Sequence, residues 1–130
     1  MKQNEAKILV IEDEAAILKI FSYKLTSVGF NVITAANGKD GLDMAISQTP
    51  DIILLDILMP VMDGLTMLQN LRKANDYGKK VPVIFVTNLS ASDEEIIKKV
   101  ADTEPIYYFV KIDMKMDDLI STIKKQLKIN

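Results

Sequence analysis

Residues 51–64 have the sequence Asp-Ile-Ile-Leu-Leu-Asp-Ile-Leu-Met-Pro-Val-Met-Asp-Gly. Four consecutive apolar residues, 52–55, run directly into Asp56, and Pro60 then prevents further strand hydrogen bonding before a turn at 63–64. An uninterrupted apolar run between turn signals is typical of a strand that is buried on both faces, as in the middle of a parallel sheet. Asp56 would then lie at the carboxyl end of that strand, where open α/β sheets bind their ligands. On this stretch alone, Asp56 could equally mark only the point where the strand leaves the core.

Length and composition limit the classes of protein that this chain can belong to. The 130 residues are 48% apolar, with a net charge of −2 and a pI of about 5.1, which indicates one well-packed domain without a basic surface for nucleic acid. The chain has no cysteine, so disulfides and thiolate metal sites are excluded, and it has no histidine to act as base or ligand. No segment approaches the roughly 20 apolar residues of a membrane span. We therefore expect one cytoplasmic domain over residues 1–130, with no membrane or direct nucleic-acid partner.

Short apolar runs alternate along the chain with patterns of helical spacing. The predicted strands are residues 7–11, 31–35, 52–55, 81–86 and 106–110. A helical pattern follows each strand; the third is expected to stop near residues 75–78, and Ser92 is expected to cap the fourth. Strands that alternate with helices indicate a parallel sheet covered on both faces by right-handed crossovers. The prediction is a doubly wound α/β fold, a flavodoxin-like three-layer sandwich with five strands in the order 2-1-3-4-5, an order taken from known folds of this type.

Polar side chains follow four of the five predicted strands. Glu12 and Asp13 follow the first strand, Asp56 the third, Thr87 the fourth and Lys111 the fifth. In the order 2-1-3-4-5 these strands are neighbours about 4.8 Å apart, so the three carboxylates should converge at the point where the crossovers diverge. Each residue alone has an ordinary explanation as a turn, a helix cap, a strand residue or a solvated charge. Their convergence favours a functional site.

Three carboxylates this close repel one another unless a cation neutralises them. The candidates are Lys111 and a divalent metal, and Mg²⁺ suits a site with one or two direct carboxylates, several waters and a substrate phosphate. A carboxylate such as Asp56 can also act as a nucleophile on phosphorus. Transfer of a phosphoryl group requires neutralisation of its oxygens, which Mg²⁺, the Lys111 ammonium and the Thr87 hydroxyl could supply.

The combination of Glu12-Asp13, Asp56 in the stretch quoted above, Thr87 and Lys111 resembles the receiver domain of two-component response regulators, and the resemblance covers essentially the whole chain. It implies that Asp56 accepts a phosphoryl group from a phosphohistidine on a sensor histidine kinase or a histidine phosphotransfer protein. Thr87 and Lys111 would hold the phosphoryl oxygens. The chain would then be a phosphoacceptor in a phosphorelay and not an enzyme, beyond catalysing its own phosphorylation and dephosphorylation.

The same resemblance implies a set of ligands for Mg²⁺. Asp13 and Asp56 would bind the ion directly, and Glu12 would bind it mainly through water. The main-chain carbonyl of Leu58 would be a further ligand.

Tyr108 falls at the position where the family keeps a switching aromatic residue. Phosphorylation would draw Thr87 towards the new group and vacate space that Tyr108 could fill. The surface of the fourth predicted helix, fifth strand and fifth helix would then change, and would bind a downstream protein target or form a phosphorylation-dependent homodimer. Tyr108 as a plain core aromatic is the alternative. We expect a stand-alone receiver, with no output domain in these residues; the alternative is one domain of a longer regulator.

Three positions depart from the family pattern. Ile112 follows Lys111 where the family has a proline in a cis peptide, and we expect a trans bond because a non-proline cis bond costs about 2.5–4 kcal/mol. Asn88 stands after Thr87 where the family favours a small residue. Residues 102–105 replace a glycine-containing link into the fifth strand.

Leu58 and Leu89 occupy positions that in the family flank the path of the hydrolytic water. Both are apolar, so we predict slow self-dephosphorylation. One alternative to the phosphoacceptor is a degenerate receiver that only scaffolds partners. A phosphatase of the haloacid-dehalogenase type would require an acid at Leu58, and a flavin or nucleotide carrier would require a glycine-rich phosphate loop that the chain lacks.

Overall fold

The computed structural model describes residues 2–88 and 94–129 of the chain. Met1, residues 89–93 and Asn130 lie outside the described residues, and with them the predictions made for Ser92 and Leu89. Five parallel strands form one sheet in the order β2-β1-β3-β4-β5. Helices lie on both faces of this sheet, so the predicted doubly wound, three-layer α/β fold is confirmed.

Strands and helices alternate along the chain as the sequence predicts. The strands are β1 Lys7–Ile11, β2 Asn31–Ala35, β3 Ile52–Leu55, β4 Val83–Thr87 and β5 Tyr107–Val110. The α-helices are α1 Ala15–Ser27, α2 Gly38–Gln48, α3 Gly64–Ala74, α4 Asp76–Lys80, α5 Glu94–Asp102 and α6 Met116–Gln126. Short 3-10 helices occupy Gln3–Glu5 and Lys111–Asp113. The fourth and fifth helices of the sequence prediction are therefore α5 and α6.

The apolar runs of the central strands serve two cores, one on each face of the sheet. Side chains along a strand point alternately to the two faces. Leu9 and Ile53 accordingly pack in one core with residues of α2, α3 and α5, whereas Ile8 and Ile52 pack in the other with residues of α1 and α6. Burial on both faces explains why β1 and β3 are continuously apolar and do not alternate with polar residues.

The structure differs from the prediction between α3 and β4. We expected the third helix to stop near residues 75–78 and expected the fourth strand to begin at residue 81. The additional helix α4 instead begins after Asn75, whose side chain accepts a hydrogen bond from the amide of Gly78 at 2.7 Å. Because Val81 still donates its amide to the carbonyl of Tyr77 in α4, β4 begins only at Val83.

The link between α5 and β5 is held by Arg72 on α3. The Arg72 guanidinium donates to the carbonyls of Thr103 and Glu104, at 3.0 and 3.1 Å. It also donates to the carbonyls of Gly78 and Val81, at 3.0 and 2.7 Å. Glu104 has a positive φ of 54°, a conformation that favours glycine, which is the residue type that the family would supply in this link.

Replacing Arg72 by Met should lower the free energy of unfolding by about 2–3 kcal/mol, because four main-chain carbonyls lose a charged donor. The aliphatic part of the side chain is retained, so the loss isolates the hydrogen bonds. Urea denaturation measures the difference. Lys73→Met, at the neighbouring exposed position on α3, is the matched control and should change stability by less than about 0.5 kcal/mol. Equal effects of the two substitutions would show that the carbonyls find other donors.

None of the helices within the two described ranges has the length and apolar composition that crossing a membrane requires.

Candidate functional site

The carboxyl ends of β1 and β3 bring two acidic residues side by side. Ile11 pairs with Leu55 in the parallel register, so Glu12 and Asp56 are the next residues on neighbouring strands. The amide of Asp56 donates to the carbonyl of Ile11 at 3.1 Å, which continues the ladder for one step beyond β3. This main-chain hydrogen bond therefore fixes the position of Asp56 next to the end of β1.

Glu12, Asp13 and Asp56 form one cluster of carboxylates. One oxygen from each lies within 4.8 Å of the others. Glu12 and Asp56 are buried, and Asp13 is more accessible to solvent. The sequence prediction that these three groups converge at the switch point of the sheet is in agreement with this geometry.

The Lys111 ammonium connects the two buried members of the cluster. It donates to Asp56 Oδ2 at 2.9 Å and forms a second ion pair with Glu12 Oε1. All three side chains are less than a tenth exposed. The other Asp56 oxygen, Oδ1, accepts a hydrogen bond from the amide of Ile57 at 2.7 Å. Of the two cations considered from the sequence, Lys111 is therefore the one that the chain itself supplies, and it pairs with the two buried carboxylates.

Burial and crowding shift the protonation equilibria of the ion pair. Burial, strengthened by the neighbouring Asp56 and opposed by Lys111, raises the pKa of Glu12 from 4.5 to about 7. Burial also disfavours the charged form of Lys111, but its hydrogen bonds to Glu12 and Asp56 outweigh this effect and raise the pKa of Lys111. Three carboxylates share one ammonium, which leaves negative charge that a further cation could neutralise.

In the metal-free protein, the Glu12 carboxyl should make stability fall as the pH rises from about 4.5 to about 7. Over this range the unfolded chain has lost the Glu12 proton and the folded protein has kept it, so unfolding releases a proton. The effect is absent below pH 4.5 and complete above pH 7, where it amounts to about 3 kcal/mol. Urea denaturation in the presence of a chelator, at several pH values, should show that Glu12→Gln lacks this decrease.

The control for this prediction is Glu14→Gln, which removes an exposed carboxylate two residues later on the chain. It should retain the pH dependence of the wild type. If the free energies of unfolding of Glu12→Gln and the wild type changed in parallel between pH 5 and pH 8, the raised pKa of Glu12 would be contradicted.

The cluster has the chemistry of a magnesium site. Mg²⁺ prefers oxygen ligands and retains several waters, and the accessible Asp13 leaves that side of the cluster open to water. Asp13 and Asp56 could bind such an ion directly, and Glu12 could bind it through water. Leu58, whose main-chain carbonyl is the remaining predicted ligand, lies two residues beyond Asp56, and its side chain is 61% exposed.

Thr87 and Tyr108 lie on the neighbouring strands. Thr87 is the last residue of β4, and its side chain is fully buried. Tyr108 pairs with Phe85 in the β4–β5 register and its ring makes a tilted contact with the Phe85 ring, with 6.1 Å between centroids. Burial, and secondarily the charge of Asp56, raises the pKa of Tyr108. The Tyr108 ring is thus half-buried, next to the core and within the electrostatic reach of Asp56.

Asn88 and Ile112, which both depart from the family pattern, contact each other. The amide of Ile112 donates to Asn88 Oδ1 at 3.1 Å. No peptide bond in the described ranges is cis, so the expected trans geometry between Lys111 and Ile112 is confirmed. The loop after Lys111 forms a 3-10 helix, Lys111–Asp113. Sequence reasoning treated Asn88 and Ile112 separately and missed their contact; the available signal was that Ile112, unlike proline, has an amide hydrogen to donate.

Comparison with known proteins gives a consistent result for this chain. The family model described as "Response regulator receiver domain" matches residues 8–124. A curated protein from Porphyra purpurea, "Probable transcriptional regulator ycf27", is 42% identical over 89 residues, which are 68% of this chain and 35% of that protein. The chain thus spans about a third of the length of such curated relatives.

Solved structures agree in fold. A chain in the structure of the CheX–CheY–BeF₃–Mg²⁺ complex from Borrelia burgdorferi has a TM-score of 0.81 at 27% identity, and the match covers 94% of this chain and 89% of that chain. The receiver domain of a sensor histidine kinase from Pseudomonas aeruginosa has a TM-score of 0.84 at 25% identity and covers 95% of this chain and 98% of its own. That structure is described as having a magnesium ion coordinated in the active site cleft.

Proposed function

Because the chain belongs to the response regulator receiver family of two-component signalling, we propose that it accepts a phosphoryl group on Asp56 from a phosphohistidine, with the help of Mg²⁺. The observation that carries this proposal is the position of Asp56. Its carboxylate ends the central strand β3, lies within 4.8 Å of Glu12 and Asp13, and accepts a hydrogen bond from Lys111. The reaction modifies the chain itself, so the protein acts as a phosphoacceptor and not as an enzyme with a separate substrate.

The proposed transfer uses residues of this chain in distinct roles. A carboxylate oxygen of Asp56 attacks the phosphorus, the new P–O bond forms, and the P–N bond of the donor breaks with its electron pair returning to the imidazole. Lys111, already 2.9 Å from Asp56 Oδ2, moves with the developing negative charge to the phosphoryl oxygens. The hydroxyl of Thr87 donates to another of these oxygens.

A divalent cation fits the residues present. Mg²⁺, when bound, would neutralise the negative charge shared between Asp56 and the incoming phosphoryl group. Asp13 and Asp56 would hold it directly, Glu12 through water, and the carbonyl of Leu58 would complete the protein ligands. The carboxylate cluster and the ion described for the Pseudomonas receiver support this assignment.

The proposed output surface comprises α5, β5 and α6. β5 is an edge strand, and on it Tyr107 is 51% exposed and stacks on Phe109 with 4.7 Å between ring centroids. Phosphorylation would draw Thr87 inward and allow Tyr108 to follow, which would change the shape of this apolar surface. A downstream protein or a second phosphorylated copy would bind there. The CheX–CheY complex from Borrelia supports partner binding by receivers in general terms. The donor would be a sensor histidine kinase or a histidine phosphotransfer protein, and a cytoplasmic location stays a prediction.

Incubation with acetyl phosphate and Mg²⁺, followed by intact-mass measurement, tests whether Asp56 accepts a phosphoryl group. We expect the wild type to gain the mass of one phosphoryl group and Asp56→Asn to gain none. Omitting Mg²⁺ should slow the addition by about a hundredfold or more. The absence of any addition to the wild type would instead favour a scaffold that binds partners without phosphorylation.

Asp63→Asn is the matched control for Asp56→Asn. Asp63 is an exposed carboxylate at the N-cap of α3, where it accepts the amide of Thr66 at 2.8 Å. Asparagine is an equally good capping residue, so the helix should be preserved. The Asp63→Asn protein should be phosphorylated at the rate of the wild type. Addition of a phosphoryl group to Asp56→Asn would show that another residue is the acceptor.

The phosphorylated protein should lose its label slowly, over minutes or longer. Leu58 is apolar and mostly exposed beside Asp56, so it offers no group to orient a hydrolytic water. After removal of acetyl phosphate, intact-mass measurement at intervals gives the lifetime. Leu58→Asn, which adds a polar group at the same position, should shorten it several-fold. Loss of label from the wild type within seconds would contradict the prediction.

A further inference from the structure

A hydrogen bond from a side chain joins the residues that follow directly after Thr87 and Lys111. β4 and β5 pair in parallel as far as Thr87, which lies opposite Val110. Beyond this pair the strands end, and the amide of Ile112 donates a hydrogen bond to Asn88 Oδ1, at 3.1 Å. The Asn88 side chain thus continues the pairing of β4 with β5 past the point where the main chains separate.

This hydrogen bond connects the residues that immediately follow Thr87 and Lys111. The Lys111 ammonium lies at the end of a four-carbon chain and must reach both Glu12 and Asp56. Where its main chain is held decides whether it can reach both. The Ile112 side chain is 84% exposed, so burial of that side chain does not hold the loop. The Ile112 amide, which a proline would lack, ties the loop to β4.

We propose that Asn88 is a positioning residue that holds Lys111 in reach of Asp56 through the amide of Ile112. The proposal rests on the proposed phosphorylation of Asp56. In this chain the hydrogen bond from the Ile112 amide to the Asn88 side chain fixes the main chain after the lysine, at the position where the family has a proline. Asn88 and Ile112 therefore act together, although they are 24 residues apart in the sequence.

A double-mutant cycle tests the proposal, with the rate of phosphorylation by acetyl phosphate and Mg²⁺ as the readout. Asn88→Ala removes the acceptor and should slow phosphorylation about fivefold. Ile112→Pro removes the donor and has effects of its own on the main chain. In the Ile112→Pro background, Asn88→Ala should therefore change the rate by less than about twofold, since no hydrogen bond remains to be lost.

Two further variants separate positioning from side-chain bulk. Ile112→Val retains the amide donor and should have the wild-type rate. Asn88→Asp retains the acceptor oxygen and should restore the rate to within about twofold of the wild type. The proposal is overturned if Asn88→Ala has the same effect in both backgrounds. It is also overturned if Ile112→Val is as slow as Ile112→Pro.

A spectroscopic readout keeps the proposal testable if the wild type is not phosphorylated. In proton–nitrogen correlation spectra, a lysine ammonium held by two buried carboxylates exchanges slowly enough to be observed, and Lys111→Met identifies its signal. Asn88→Ala should broaden or abolish this signal, whereas Asn88→Asp should retain it. An unchanged signal in Asn88→Ala would overturn the proposal, and a wild type without phosphorylation would overturn the proposed function alone.

Discussion

Lys111→Met should reduce the rate of phosphorylation by acetyl phosphate at least a hundredfold, because a preorganised cation that neutralises a developing charge contributes about 10²–10³ in rate. The Lys111 ammonium lies 2.9 Å from Asp56 Oδ2 and is less than a tenth exposed, so water cannot readily substitute for it. Methionine retains most of the apolar stem and removes the ammonium, with its charge and its hydrogen bonds to Glu12 and Asp56. Intact-mass time courses with Mg²⁺ give the rate.

The same substitution should affect Mg²⁺ binding in the opposite direction. Removing a positive charge from the cluster leaves Glu12 and Asp56 without their cation, so affinity for Mg²⁺ should rise by about five- to tenfold. Isothermal titration calorimetry measures this affinity. Opposite changes in rate and affinity would separate a role in phosphoryl transfer from general damage to the fold, which would weaken both.

Lys115→Met is the control for the loss of a lysine in this segment. Lys115 is exposed and stands four residues after Lys111. It should leave both the rate of phosphorylation and the Mg²⁺ affinity within about twofold of the wild type. A Lys111→Met protein that is phosphorylated as fast as Lys115→Met would contradict the proposed role of Lys111.

The central strands were predictable because burial on both faces leaves a strong pattern. The run Ile52–Leu55 is apolar at every position, and the strand has the predicted bounds. Helix α4 was missed because five residues are too few to show helical periodicity. Short helices depend on local contacts, which sequence patterns over longer windows do not detect.

For the site, the sequence predicted which residues converge but not how they bond. Parallel strands end at one edge of the sheet, so Glu12, Asp56 and Lys111 could be brought together from topology alone. The double ion pair of Lys111 and the contact between Asn88 and Ile112 depend on side-chain conformations, and contacts between residues far apart in the chain leave no periodic pattern. The role of Tyr108 depends on a phosphorylated state and remains a prediction.

Gly64→Ala should lower the free energy of unfolding by about 3 kcal/mol and slow phosphorylation by about a hundredfold. A methyl group at Gly64, the first residue of α3, would lie 2.0 Å from the carbonyl oxygen of Asp56 and 3.0 Å from the Cα of Ile57. Both are main-chain atoms that cannot rotate away. The amide of Gly64 also donates to the carbonyl of Ile57 at 2.8 Å, so α3 cannot retreat without losing this bond. The end of β3, and with it the Asp56 carboxylate, must therefore move.

Gly29→Ala is the control for Gly64→Ala, because it replaces a glycine that has no close contact. Gly29 has a positive φ of 106°, but the nearest atoms to an added methyl group lie 3.7 Å away on the Gln3 side chain. Its substitution should cost about 1–2 kcal/mol from main-chain strain alone and leave phosphorylation unchanged. Urea denaturation and intact-mass time courses on both variants give the comparison. If Gly64→Ala were as stable as Gly29→Ala and were phosphorylated at the wild-type rate, the start of α3 would not determine the position of Asp56. A loss of rate confined to Gly64→Ala would mean that the close packing of α3 on β3 holds the phosphoacceptor in place.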